Sequence, residues 1–311
     1  MVTTPSTSRT DVARHLPFVP AAAFVLVWSS GYISGPAAVD AAAPFFVLGW
    51  RFVLAAVLAA GLALALRRPT RFDRRTAGRV VLVGLVMNAI QFGLMYVAFD
   101  LGLGATLASL FHALSPVLTA LLAAGLLGER VSVLQVAGFV IGVTGVLIVL
   151  GADLGHAGGP VAVLVGALSM LSLSLGTLGQ RWIGAGPDPL WSAALQFAVC
   201  APPMLLLGWS VEGPWPVVDL GQTVVAVVVL AVVNSIIGLV LLARLVLHGG
   251  SGAAASLFFL SPPVTAVLAW VVLDETLGAR QLVGLLVAVV GVAAATRTRR
   301  TPASPALPPP G

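Results

Sequence analysis

Residues 114–129 read LSPVLTALLAAGLLGE, and residues 260–275 read LSPPVTAVLAWVVLDE. Nine of the sixteen positions are identical at a constant offset of 146 residues. Carried outward without a gap, the same offset pairs Asn88 with Asn234, Gln135 with Gln281, Gly138 with Gly284 and Gly145 with Gly291. The chain is an internal duplication, so its fold must be one that two copies of a single unit can build.

Composition says where that fold lives. Of 311 residues, 59% are hydrophobic and 9% charged, against roughly a quarter charged in an ordinary soluble domain. Such a chain belongs in a bilayer, where a spanning helix needs about 20 apolar residues. The single cysteine, Cys200, excludes an intrachain disulfide and a cysteine-clustered metal site. All sixteen basic residues are arginine, and the formal net charge is +5.

Hydropathy marks ten spans: 17–34, 43–66, 80–99, 104–127, 131–151, 160–180, 189–209, 221–243, 250–273 and 278–296. Residues 1–16 form a polar tail without a prompt cleavage site, so 17–34 is read as a retained first span. Residues 17–151 and 160–296 are the two five-helix copies, joined by a linker at 152–159. The proline-rich tail 297–311 is expected to be disordered. Alternating the links between the two sides puts every arginine except Arg51 and Arg280 with the N-terminus, while Asp40, Asp100, Asp153, Glu212, Asp219, Asp274 and Glu275 fall opposite. The positive-inside rule then places both termini in the cytoplasm, in the cytoplasmic membrane. The arginine excess is a topology signal, which argues against nucleic acid as a partner.

Five spans is an odd number, so the second copy inserts upside down, with Glu129 and Glu275 on opposite sides. The expected fold is an all-α integral membrane protein of two inverted five-helix repeats. Inverted repeats recur in secondary transporters, with the substrate site at the repeat interface near mid-depth.

Specific residues carry a resemblance to a known family. They are Trp28-Ser29-Ser30 in span one, Arg51 at the front of span two, and Ser115-Pro116 and Ser261-Pro262 in spans four and nine. Glu129 and Glu275 each precede a Gln-x-x-Gly, at Gln135–Gly138 and Gln281–Gly284. The two copies resemble EamA domains of the drug/metabolite transporter superfamily across residues 17–296. Ser29 stands where that family commonly has glycine, and Leu173 roughly where it often has tryptophan. The resemblance implies a permease, with efflux of amino acids or related metabolites as the leading activity.

The repeated Ser-Pro has a physical consequence. A proline inside a helix removes one donor and displaces the carbonyl four residues earlier, here His112 and Phe258. In hydrocarbon a freed carbonyl must find a hydroxyl, another helix or a wet cavity. Pro116 and Pro262 are therefore expected to bend spans four and nine around a central cavity, with Ser115 and Ser261 helping; merely curving the helices to fit the bundle is the plainer reading. Glu129 and Glu275 read as structural turn residues, since Ser132 and Gln135 have capping-box spacing just after Glu129. The glycines at 138, 142, 145, 284 and 291 read as close-packing faces within the bundle or along a homodimer seam.

Polar groups at membrane depth are the remaining candidates. Arg51 is either a cationic contact for an anionic or zwitterionic substrate, or a side chain that snorkels or binds carbonyls. Gln196 lies one residue off its mirror position. Asn88, Gln91, Gln180, Asn234 and Ser235 read as interhelical hydrogen-bonding groups, with the repeated Asn88/Asn234 pair the strongest cavity candidates. His112 reads as packed or as a proton or substrate site. Trp28 and Tyr96 read as a hydrophobic wall or as interfacial anchors. No Asp or Glu lies deep in a span, so any proton coupling falls to His112. Facilitated efflux and exchange stand beside it.

No GxxxxGK[ST], GxSxG, HExxH or paired cysteines occur, so neither an ATP motor, an enzyme, a metal nor a cofactor is expected. The leading reading is a permease for a small organic solute, working by alternating access as an exporter, monomeric or homodimeric. Its alternatives are an uptake or exchange permease, a lipid-linked sugar flippase, and a non-transporting membrane scaffold.

Overall fold

Ten apolar helices follow one another in the computed structural model, which describes residues 18–70, 73–151, 157–184, 188–245 and 257–296. They are α1 (Phe18–Ala41), α2 (Pro44–Ala65), α3 (Arg74–Asp100), α4 (Ala105–Leu127), α5 (Val133–Leu150), α6 (Gly159–Ile183), α7 (Pro189–Glu212), α8 (Leu220–Leu245), α9 (Leu257–Val272) and α10 (Ala279–Thr296). The first eight are long and apolar enough to cross a membrane; α9 and α10 are shorter apolar helices. Among the described residues, the regular structure is helical throughout. The tail 1–16, linker residues 152–156, positions 250–256 of the ninth predicted span and the tail 297–311 lie outside the described residues.

Local chemistry explains several boundaries. Gly128, at φ +69°, closes α4 in the left-handed conformation that glycine adopts without strain. Ser132 then opens α5 with the reciprocal capping box its spacing predicts: Gln135 N donates to Ser132 Oγ at 3.2 Å, and Ser132 N to Gln135 Oε1 at 2.8 Å. Span one runs further than its hydropathy, to Ala41, because Pro36 is accommodated inside the helix.

The two copies meet through equivalent helices. The second helices, α2 and α7, pack together with Phe52 and Phe197 stacked at 5.9 Å between centroids. The fifth helices, α5 and α10, lie backbone to backbone. A Cβ on Gly138 would come within 2.6 Å of Ala295, and one on Gly284 within 2.7 Å of the Gly145 carbonyl; on Gly145 it would strike the Ala288 backbone. The glycine stripes are thus consumed inside one chain, which is the reading of them the structure takes up. Only glycine lets two helix backbones approach so closely, since any Cβ would occupy the contact.

Links segregate to two ends. At one, the acidic end, Ala43 N donates to Pro216 O and Val218 N to Ala41 O, both at 2.9 Å, joining the α1–α2 and α7–α8 links. Here too Glu275, between α9 and α10, accepts from Ala105 N at 2.6 Å and Thr106 Oγ1 at 2.9 Å at the start of α4. At the other, basic end, Trp191 Nε1 donates to Arg68 O at 3.1 Å, and Arg181 pairs with Glu129 at 3.4 Å. Glu129 and Glu275 lie at opposite ends, as inversion of the second copy requires.

Candidate functional site

The first three helices of each copy, α1–α3 and α6–α8, frame a cavity of about 490 Å³, with His112 of α4 contributing from the side. Its lining reaches the basic end at Ile183, Gly184, Pro189 and Ser192. The acidic end carries the backbone pairing of the α1–α2 and α7–α8 links, and Glu212 there accepts from Phe45 N at 2.7 Å and Phe46 N at 2.9 Å. Two π-helical stretches contribute to the lining, Leu85–Ile90 in α3 and Leu230–Ile237 in α8. They fall at equivalent places in the two copies and contain Asn88 and Asn234. A π turn inserts an extra residue into an α-helix and redirects the side chains around it, a distortion that recurs at functional sites.

Arg51 is only 4% exposed. Its Nη1 donates to Tyr96 Oη at 3.2 Å, while Nε and Nη2 share Ser235 Oγ at 3.4 Å. Its guanidinium lies 4.2 Å from the Phe92 ring centroid. It does not snorkel out, and among the described residues every hydrogen-bond partner is a neutral side chain. Burying a charge at this depth costs on the order of 2.5–3.5 kcal/mol, and hydroxyls and an aromatic face return part of that.

His112 joins three helices. Its Nδ1 lies 2.9 Å from Tyr32 Oη, and its Nε2 lies 3.1 Å from Gln91 Nε2 and 3.3 Å from Ser169 Oγ. Ser169 Oγ in turn donates to Gln91 O at 2.8 Å. With the Gln91 amide nitrogen facing the ring, Nε2 accepts and Nδ1 carries the proton toward Tyr32, a neutral imidazole. A second proton at Nε2 would meet that amide N–H head on unless Gln91 turned its oxygen inward.

The amides form two further sets. Asn88 Nδ2 and Gln180 Nε2 both donate to Gln196 Oε1, at 3.1 and 3.4 Å. Across the cavity, Asn234 Nδ2 donates to Val27 O at 2.7 Å and Ser30 Oγ at 3.1 Å, tying α8 to α1. Trp28, Arg51, Asn88, Gln91, His112, Gln196, Asn234 and Ser235 therefore share one cavity, with Tyr96 on its wall.

The Ser-Pro residues are elsewhere. Ser115 Oγ lies 3.0 Å from Ser174 Oγ, and Ser261 Oγ lies 3.2 Å from Ser29 Oγ; neither serine reaches the cavity lining. Each joins the fourth helix of one copy to the first helix of the other. Pro116 lies inside α4, where the Ser115 carbonyl accepts from Thr119 and Ser174. Pro262, expected in mid-helix, is instead at the start of the α-helical part of α9, after the 3₁₀ turn Leu257–Leu260. That position requires no intrahelical donor of proline. Glu129 and Glu275 do not line the cavity either. Glu275 is more than a local turn residue, because its carboxylate caps a helix of the other copy.

Tyr32, Ser169, Phe92 and Phe197 were not singled out in the sequence. Tyr32 falls one turn after Trp28 on the same helix face, a signal that could have found it. Ser169, in the stretch SMLSLS (169–174), looks like any packing serine until Gln91 and His112 converge on it.

An all-helical membrane protein whose two copies clasp a polar-lined cavity at their interface has the architecture of a secondary carrier. The chain belongs to the EamA-like transporter family, which it matches twice, over residues 18–151 and 160–297. It is 26% identical over 271 residues to the "Uncharacterized transporter YvbV" of Bacillus subtilis, covering 86% of this chain and 87% of that one. It is 25% identical over 279 residues to the "Probable amino-acid metabolite efflux pump" of Escherichia coli, covering 86% and 90%. A shorter match, 31% over 140 residues, links it to the "S-adenosylmethionine/S-adenosylhomocysteine transporter" of Chlamydia trachomatis, covering 45% of this chain and 41% of that one. A solved crystal structure at 23% identity superposes with a TM-score of 0.63 over 89% of this chain and 95% of its own, which shows the fold. The protein is a multi-pass membrane transporter of the drug/metabolite type.

Proposed function

We propose that the chain exports a small organic metabolite across the cytoplasmic membrane by alternating access. In this reading the units 17–151 and 160–296, joined by the 152–159 linker, rock against each other about the cavity. Both termini and the arginine-rich end face the cytoplasm, from which the cavity loads. The observation that carries the reading is the convergence of Arg51, Asn88, Gln196, Asn234 and His112, drawn from both copies, on one cavity whose lining reaches the basic end. The printed name of the Escherichia coli relative supports efflux and an amino-acid-related metabolite.

Metabolite profiling of overexpressing and deletion cells tests direction: overexpression should raise one class of solute in the medium and deletion should raise it inside. Unchanged profiles in both strains, followed by no flux of the same solutes in proteoliposomes, would defeat the reading. Running those proteoliposomes with and without a pH gradient tests coupling through His112.

A further inference from the structure

We infer that the cargo is an organic monocarboxylate with a flat, largely apolar body, its carboxylate meeting Arg51; this rests on the cavity being the transport site. Arg51 is buried, yet no carboxylate pairs with it among the described residues. Its two hydroxyl partners lie at 3.2–3.4 Å, longer than the roughly 2.7–2.9 Å of a charge-assisted pair. The guanidinium is thus held in place and left electrically unmatched. Its planar fork fits a carboxylate through two parallel N–H donors, which the single Ser235 oxygen cannot reproduce.

Charge counting narrows the class further. The described lining residues include no Asp or Glu. A cationic cargo would face Arg51 with no anion to offset it, at low local dielectric. A phosphate monoester would bring a second negative charge with no second permanent cation among those residues, and burying that uncompensated charge is costly. The ammonium of an α-amino acid would find only neutral side-chain acceptors. One guanidinium matches one carboxylate. Trp28, Phe92, Tyr96 and Phe197 supply aromatic wall for the rest of the molecule, and the Asn88/Gln196 amides supply hydrogen bonds for a polar substituent.

The test is binding of a matched chemical series to the purified full chain in detergent, by calorimetry and radioligand competition. The series is 3-phenylpropionate, its amide, its amine counterpart, phenylalanine and phenyl phosphate. The acid should bind at least tenfold more tightly than each of the others. Arg51→Gln should erase the preference of acid over amide, and Arg51→Lys should retain part of it. Should Arg51→Gln fail to insert, the ranking in the native protein decides alone. Equal or tighter binding of the amide, amine, phenylalanine or phosphate overturns the inference, as does the absence of binding by the acid at millimolar concentration. A preserved acid preference without flux in proteoliposomes would instead defeat the transport reading and leave the anion site intact. Flux of a neutral or cationic solute would do the reverse.

Discussion

Asn88 and Asn234 occupy the same place in their copies and do different work. Asn88 reaches across to Gln196 of the other copy, whereas Asn234 holds the backbone of α1 at Val27. Asn88→Ala removes one interhelical hydrogen bond, on the order of 0.6 kcal/mol in a membrane protein, and should lower flux several-fold with insertion unchanged. Asn234→Ala should lower flux and loosen α1 against α8 as well. Transport in vesicles, normalised to the amount of inserted protein, reads both; full native flux in the two variants would remove the amides from the site. For His112, the ring's contact with Gln91 and Tyr32 makes a coupling role testable. His112→Gln should abolish gradient-driven transport while leaving downhill exchange measurable, if the imidazole carries the proton; equal loss of both would mark a packing role. The polar residues of the site were legible because intramembrane polarity is rare and costly. Their partners were not, since nothing local tells Ser169 from Ser172.

The helix pairs answer to steric rules more than to polarity. Along α5 and α10 the glycines bring two backbones into contact, so Gly145→Ala should overpack the seam against Ala288. The expected cost is about 1–3 kcal/mol, read as a fall in thermal midpoint in detergent with cargo affinity unchanged, since neither helix lines the cavity. The Ser-Pro motif shows where reasoning from one helix stops. Both prolines were expected to act alike, and the equivalent serines do pair alike, Ser115 with Ser174 and Ser261 with Ser29. Yet Pro116 is inside its helix and Pro262 begins one. The two motifs take two backbone forms, and both sequence and neighbours differ: Pro263 stands where the first copy has Val117, and His112 bonds to Tyr32 and Gln91, while Phe258, its counterpart, packs edge-on against Trp28 at 4.7 Å.

At the scale of the whole molecule, two carboxylates of the second copy hold helices of the first at the acidic end, Glu212 on α2 and Glu275 on α4. Each offers an anion to a helix N-terminus, whose unpaired N–H groups and positive dipole end favour it, by roughly 0.5–2 kcal/mol. Glu275→Ala should therefore weaken closure of that end. With Met95→Cys in the cavity and Cys200 replaced by alanine, labelling by an impermeant maleimide from the acidic side should accelerate. An unchanged rate would show that the clamp does not hold the end shut. Cysteines at positions 129 and 275, labelled from either face of intact cells, should react from opposite sides, and reaction from the same side would end the inverted-repeat account. The duplication, the helices, the segregation of their links to two ends and the short roster of polar residues at depth were all legible in the sequence alone, because hydrocarbon tolerates so few arrangements of backbone and charge. Tertiary structure decided which of those residues share a cavity, that Arg51 has only neutral partners among the described residues, that the serines join the copies and that Glu275 caps a helix of the other copy. Those facts depend on distances between segments far apart in the chain, and no local pattern of residues encodes such a distance.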